Sequence, residues 1–115
     1  MTQHTMNLHP EPFRLIREGK KTIELRLYDE KRRQIRVGDT ILFSNTGQPG
    51  QMLRAQVTDL FVFDSFETLY RSLPLLACGY TEENVSSASP EDMNVYYSPE
   101  RQKKYGVVGI QIILK

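Results

Sequence analysis

The sequence predicts an α+β domain built on a mostly antiparallel β-barrel with short helices on its flanks. Apolar residues alternate at Met6 and Leu8, through Ile23, Leu25 and Leu27, and again through Val108, Ile110, Ile112 and Leu114, the period-2 pattern of half-buried strands. The alternation slips phase once, between the set Leu53, Ala55 and Val57 and the set Leu60 and Val62. One extra residue near Thr58 and Asp59 restores it, as a β-bulge does where a sheet curls toward closure. Serine, proline and acidic residues cluster at helix-start spacing between these segments, and no linker, repeat or low-complexity tract divides residues 1–115, so one domain is expected.

Taken in order, Thr2 to Leu8 reads as a first strand with Met6 and Leu8 inward. Pro10 and Pro12 then start a helix, because proline lacks an N–H that has no intrahelical partner in the first turn anyway. Phe13, Leu15 and Ile16 give this helix its apolar stripe to about Glu18, and Gly19 is placed to end it in the left-handed conformation. A strand over Thr22 to Tyr28 follows, with Lys21 falling in the turn rather than in the pleat. Asp29 to Arg36 is too polar to be buried and predicts an exposed basic connection. Val37-Gly38-Asp39 signals a turn before a short strand at Thr40 to Phe43. Beyond the bulged strand, Asp64-Ser65-Phe66-Glu67 caps a helix with a stripe of Phe66, Leu69, Tyr70 and Leu73, and Pro74 ends it. Cys78 to Ala88 reads as a long loop. Ser89-Pro90-Glu91-Asp92 and Ser98-Pro99-Glu100-Arg101 start two short helices before the closing strand.

Composition bounds the function. A chain of 115 residues can bury a core without disulfide or metal support. The lone Cys78 excludes an internal disulfide and a cysteine-cluster zinc site, and His4 and His9 fit no metal or base pattern, so no metal or cofactor is expected. No signal-peptide layout and no apolar run near the ~20 residues of a membrane span is present; a cytoplasmic protein without a membrane partner is expected. Net charge is +1 but unevenly spread: residues 14–36 carry nine Lys and Arg against four acids, and residues 57–100 carry eight acids against Arg71 alone. Lys31, Arg32, Arg33 and Arg36 either keep an exposed turn soluble or neutralise the phosphates of a nucleic acid.

The richest stretch is Gly19-Lys20-Lys21-Thr22-Ile23-Glu24-Leu25-Arg26. Alternation sends Ile23, Leu25 and Leu27 to one face and Thr22, Glu24, Arg26 and Tyr28 to the other. Glu24 and Arg26 therefore share a surface, as an ordinary solvated ion pair worth ~0–1 kcal/mol or as part of a site that Lys21 reaches from the turn.

These eight residues fit Gly-x-Lys-x-x-Glu-x-Arg, and they stand in order with His4 to Leu8, Pro12-Phe13, Arg26 to Arg33, Gly38 to Phe43, Tyr96-Tyr97-Ser98 and Tyr105 to Ile110. The ordered set resembles the ASCH domain (activating signal cointegrator homology), a branch of the PUA-like β-barrels associated with RNA, over nearly the whole chain. The resemblance implies a PUA-like barrel and a cleft around the motif. Small relatives of this type are amidohydrolases of acetylated cytidine, in which a threonine nucleophile aligned with Glu24 is assisted by a lysine aligned with Lys21 and by a more distal glutamate. Here position 24 is a carboxylate with no proton to yield for acyl transfer, so that mechanism does not carry over. Glu67, Glu82 and Glu83 are the acids available for the distal role, and nothing in the sequence selects one. Other relatives are described as ribonucleases using tyrosine, lysine and serine, which here correspond to Tyr97, Lys21 and Ser98. Met93, Tyr96 and Tyr97 also have the spacing of a helix packed on a barrel, and Ser98 that of an N-cap.

Two functions follow as expectations. One is a module binding RNA, a nucleotide or a modified nucleoside through Lys21, Glu24, Arg26, Tyr28, Lys31, Arg32, Arg33, Tyr97 and Ser98. The other is a small metal-independent hydrolase, a ribonuclease or an acetylcytidine-type amidohydrolase, with Lys21, Glu24 and Tyr97 as its catalytic set. In either, Glu24 orients the two cations beside it, and Glu24→Gln is expected to impair function while leaving the fold intact.

Overall fold

The computed structural model describes residues 1–115. Five strands, β1 (Gln3–Leu8), β2 (Ile23–Leu27), β3 (Thr40–Asn45), β4 (Met52–Phe63) and β5 (Val107–Leu114), form one curled half-barrel sheet in the order β1-β3-β4-β5-β2. Three α-helices, α1 (Pro10–Arg17), α2 (Phe66–Ser72) and α3 (Pro99–Tyr105), lie between the strands with three short 3₁₀ turns. Only β1 and β3 pair in parallel; the other three pairs are antiparallel. The expected PUA-like α+β architecture is the one observed.

The expected bulge is present: β4 slips register against β5 between Val57 and Asp59. Before the slip Ala55 and Val57 are buried, and after it Leu60 packs on the same core. Val62 departs from the expectation and is half exposed, because Phe61 and Phe63 instead enter a second core on the opposite face. Leu114, the last residue of β5, likewise lies outside the core.

The two cores explain why β2 and β5 are buried on both faces. Met6, Phe13, Ile16, Phe43, Ile110 and Ile112 belong to the first, which α1 closes; Ile23, Leu25, Leu27, Phe66, Leu69 and Val107 belong to the second, which α2 closes. Gly109 sits where a Cβ would come within 2.8 Å of Leu73 Cδ1, so its lack of a side chain lets α2 approach the sheet. Helix caps follow the sequence: Ser65, Ser89 and Ser98 each accept a backbone N–H with the side-chain oxygen, an interaction worth about 1 kcal/mol apiece.

The strand expected over Thr22 to Tyr28 is shorter, Ile23–Leu27. Tyr28 has left the pleat, with its N–H donated to Gly106 O at 3.0 Å. Residues 29–36 are not uniformly exposed either. Ile35 is buried, and Arg32 folds back onto Asp29 at 2.9 Å across a 3₁₀ turn.

His4 and Asp39 fasten β1 to the start of β3. Asp39 Oδ2 accepts from Arg36 N at 3.0 Å and pairs with His4 Nε2 at 2.8 Å, while Oδ1 accepts from Thr2 N at 3.2 Å. The His4 hydrogen bond foremost, then the backbone N–H groups, hold the carboxyl down to about 2 against the opposing effect of burial. A depressed carboxylate stabilises the fold fully above its unfolded value of about 4. That contribution fades as pH falls toward about 2. Amide exchange in Gln3–Leu8 is therefore expected to accelerate over that window relative to β5, and Asp39→Asn to remove the difference; equal exchange in both variants throughout would refute the anchor.

Candidate functional site

The Gly19 turn builds the site. With Gly19 at φ 77°, Lys20 N and Lys21 N both donate to Leu15 O, at 2.9 and 3.1 Å, so Lys21 is fixed at the end of α1 before the pleat begins. Thr22 N and Ile23 N then both reach Ala77 O, which brings the 73–80 segment against the start of β2. The Lys21 side chain lies across Gly79 and extends its Nζ to Glu24 Oε1 at 2.7 Å. Arg26 takes the other oxygen, Nε to Oε2 at 2.7 Å, and its Nη2 donates to Asn7 O at 2.8 Å. Arg26 thus spans from β2 to β1, the two outer strands of the half-barrel.

Glu24 is only 4% exposed. Burial works to raise its carboxyl, but the charges and hydrogen bonds of Lys21 and Arg26 outweigh that and hold it below the usual range. Burial works against the Arg26 charge in the same way, and Glu24, then Tyr97, outweigh it. This is no solvated surface pair.

The triad forms part of the wall of a cavity of about 520 Å³. Tyr97 stands beside it, stacked on Phe66 with ring centroids 6.3 Å apart and planes 15° from parallel. Burial raises the Tyr97 hydroxyl despite the opposing Arg26 charge, so it stays protonated at neutral pH. Further round the wall, Tyr70 donates to the Tyr80 hydroxyl at 2.7 Å, and Tyr80 donates to Asp92 Oδ2 at 2.7 Å. Burial, with the Tyr70 and Asp92 hydrogen bonds, raises Tyr80 far above its ordinary value. Asp92 is in turn fixed by the Ser89 N–H in a capping box. Cys78 also lines the cavity, and burial pushes its thiol up to about 11, leaving it protonated and a poor nucleophile.

Of the residues picked out from sequence, Lys21, Glu24, Arg26 and Tyr97 come together in this cavity. Tyr28 and Arg33 line a separate hollow instead, because β2 stops at Leu27 and the chain turns away. Lys31 and Arg32 line neither hollow; Arg32 is drawn onto Asp29, with its buried Nε left without a hydrogen-bond partner. Ser98 lies outside the cavity with its hydroxyl accepting from Arg101 N at 3.3 Å, as the cap of α3. None of Glu67, Glu82 and Glu83 reaches the cavity, and the acids that do, besides Glu24, are Glu11 and Asp92. Asn7, Gly79, Tyr80 and Asp92 also line the cavity and were not singled out for it from sequence. Only Asp92 carried a local signal, and helix capping explained it equally well.

Gly79 offers a test that changes no charge. At φ 111° its Cβ would lie 3.1 Å from Lys21 Cδ. Gly79→Ala is expected to shift Lys21 from Glu24 and weaken ligand binding about tenfold, the equivalent of ~1.4 kcal/mol, together with a loss of stability from holding alanine at a positive φ. Binding unchanged in Gly79→Ala, measured by titration calorimetry, would show that the Lys21 position does not matter.

The arrangement is a set of fixed donors with aromatic walls. Lys21 and Arg26 present N–H groups, Asp92 presents an acceptor, and both Glu24 oxygens are already taken by cations. The Tyr80 hydroxyl is held on the Asp92 carboxylate at 2.7 Å, and the Cys78 thiol is bonded to no base.

Comparisons with known proteins agree with this architecture. The model of the ASCH domain matches residues 6–115. The crystal structure of the hypothetical protein PH0355 is 38% identical, with 99% of this chain and 100% of that one covered and a TM-score of 0.79. The solution structure of PF0455 from Pyrococcus furiosus is 34% identical over 98% of this chain and 97% of that one, with a TM-score of 0.74. At 16% identity the ASCH protein of Zymomonas mobilis shares the fold, covering 97% of this chain and 67% of that one at a TM-score of 0.65. No curated protein matches the sequence. A half-barrel carrying the Gly-x-Lys-x-x-Glu-x-Arg turn, matched by the family model from Met6 to the last residue, places the chain in the ASCH domain family.

Proposed function

We propose that this protein binds RNA or a nucleotide, with a base held in the cavity among Lys21, Glu24, Arg26 and Tyr97. The observation that carries this is the buried Glu24 carboxylate bonded at both oxygens, 2.7 Å from Lys21 Nζ and 2.7 Å from Arg26 Nε, in the wall of a cavity lined by tyrosines. A carboxylate so engaged orients cations; it neither attacks nor abstracts a proton. The two cations supply donors for base carbonyl or phosphate oxygens, and Tyr97, backed by Phe66, supplies an aromatic surface for a base. Asp92 and Tyr80 offer acceptors for an exocyclic amino group. Family membership supports the same kind of partner, since ASCH domains are RNA-binding or hydrolase-like.

The test is titration of nucleoside monophosphates and short RNAs into the parent, Tyr97→Ala and Lys21→Met, with acetylated cytidine and RNA products followed in parallel. Loss of one stacking surface is expected to lower affinity about 5- to 150-fold, from ~1–3 kcal/mol per stacked base. Hydrolysis of acetylcytidine by the parent at enzymatic rates would overturn the binding-module reading. Absence of any nucleotide or RNA binding would overturn the cleft as an RNA or nucleotide site.

A further inference from the structure

A second hollow, of about 560 Å³, is lined by Tyr28, Arg33, Lys103 and Lys104 among others, with Asp64 as its one acid. Its cations are free. Arg14, Lys20, Lys21, Arg26, Arg32 and Arg71 all pair with carboxylates, whereas Arg33, Lys103 and Lys104 pair with none. Arg33 is nevertheless held in place. Its guanidinium carbon lies 4.4 Å from the centre of the Tyr28 ring, and Nη2 donates to Tyr105 O at 3.0 Å, from a residue 72 positions away. Its remaining N–H groups make no hydrogen bond within the protein. Lys104 is likewise laid along an aromatic ring, 5.1 Å from the centre of Tyr105.

Lysines in the last turn of α3 are explained by the partial negative charge at a helix C-terminus. That effect does not account for an unpaired, pre-positioned arginine brought to the same hollow from the β2–β3 connection. A guanidinium fixed on an aromatic face with free N–H groups, flanked by two flexible ammonium groups, suits a phosphodiester. The hollow is also joined to the cleft. Gln102 lines it and donates its side-chain amide to Tyr97 O at 2.8 Å, while the Tyr97 ring lines the first cavity. One hydrogen bond thus ties a side chain in the wall of this hollow to the backbone of a residue in the wall of the first cavity.

We infer that Arg33, Lys103 and Lys104 bind backbone phosphates of the same single-stranded RNA whose base occupies the cleft, which makes the ligand an oligonucleotide rather than a free nucleoside. This rests on the cleft reading above.

The experiment compares the affinity of uncharged nucleosides, mononucleotides and RNAs of about two to eight nucleotides for the parent, Tyr97→Ala, and the triple variant Arg33→Gln, Lys103→Gln, Lys104→Gln. Affinity for the parent is expected to rise with length. The triple variant should bind a nucleoside like the parent yet lose tenfold or more on the longest RNA, with a log–log salt slope smaller by about 2, at ~0.7 per single-strand phosphate contact. Exchanging the three with cation retained, by Arg33→Lys, Lys103→Arg and Lys104→Arg, should restore most of the slope. An RNA affinity and slope unchanged in the triple variant, alongside loss in Tyr97→Ala, would overturn the hollow and leave the cleft standing. RNA binding indifferent to Tyr97→Ala would overturn the cleft itself. Dependence on the three cations seen with anionic phosphatidylserine vesicles and not with RNA would reassign the hollow to a membrane surface and overturn the proposal.

Discussion

Glu24→Gln is expected to lower stability by about 3–5 kcal/mol, the usual cost of removing one partner from a buried ion pair, and to abolish ligand binding at the same time. The sequence led to the opposite expectation for the fold, because a strand's outer face is ordinarily solvated and a pair on it is cheap to lose. Burial reverses that. With Glu24 neutralised, Lys21 and Arg26 remain as two cations converging on one largely buried point, their side chains 11% and 13% exposed. A glutamine carbonyl can accept from one of them, and its amide N–H groups then face the other. The pH dependence has the same origin. Because the folded carboxyl lies below its ordinary value, its stabilisation is complete above the unfolded value of about 4.3 and is lost as pH falls through the lowered folded one. The parent should therefore lose stability on acidification in a way the variant does not. Urea unfolding of both from pH 7 to pH 3 measures this, with circular dichroism confirming that the variant still folds. A parent and variant of equal midpoint at pH 7 would show that the buried charge contributes nothing net. Combining Glu24→Gln with Lys21→Met should recover part of the loss, since the second change removes one of the stranded cations.

The legible parts of this molecule were those governed by local rules. Period 2 located the strands, the phase slip located the bulge at Val57 to Asp59, and serine caps located the starts of α2, α3 and the 3₁₀ turn at Pro90. Gly19 and the motif behind it located the Lys21, Glu24 and Arg26 ion triad in the wall of the first cavity. What sequence could not supply was which faces are covered twice. Val62 was expected inside because alternation describes a sheet with one core, and here α2 builds a second core on the other face, drawing in Phe61, Phe63 and Val107; Leu114 is exposed as the last residue of its strand. The same double coverage turned Glu24 from a surface residue into a buried one. Tyr28 was misplaced because alternation was carried one residue past the end of β2. Asp92 and Tyr80 reach the cavity only through the packing of the 78–92 segment against α2, a long-range contact with no local signature. Arg33 stacks on Tyr28 only after the chain has turned.

Arg26→Met is expected to cost about as much stability as Glu24→Gln, and for a reason that Lys21→Met does not share. Lys21 bonds to Glu24 alone, from the turn that ends α1, whereas Arg26 bonds to Glu24 and also to Asn7 O. The second bond links β2 to β1, strands at opposite ends of the sheet order with no ladder between them. Methionine keeps most of the side-chain length and supplies no donor, so a mostly buried carboxylate loses half its compensation and the open edge loses its strap; about 3–5 kcal/mol is expected. Arg26→Lys retains the charge but has one ammonium point in place of a planar fork, and it cannot serve Glu24 and Asn7 together in the same geometry. It should restore the Glu24 interaction without the strap. The two effects are separable by site-resolved amide exchange. In Arg26→Lys, protection should fall in Gln3–Leu8 while β5 stays near the parent; in Arg26→Met, it should fall throughout. Lys21→Met should weaken ligand binding more than it weakens the fold. If Arg26→Lys leaves the first strand as protected as in the parent, the arginine is a partner of Glu24 only, and closure of the half-barrel edge depends on the packing of α1 and the first core instead.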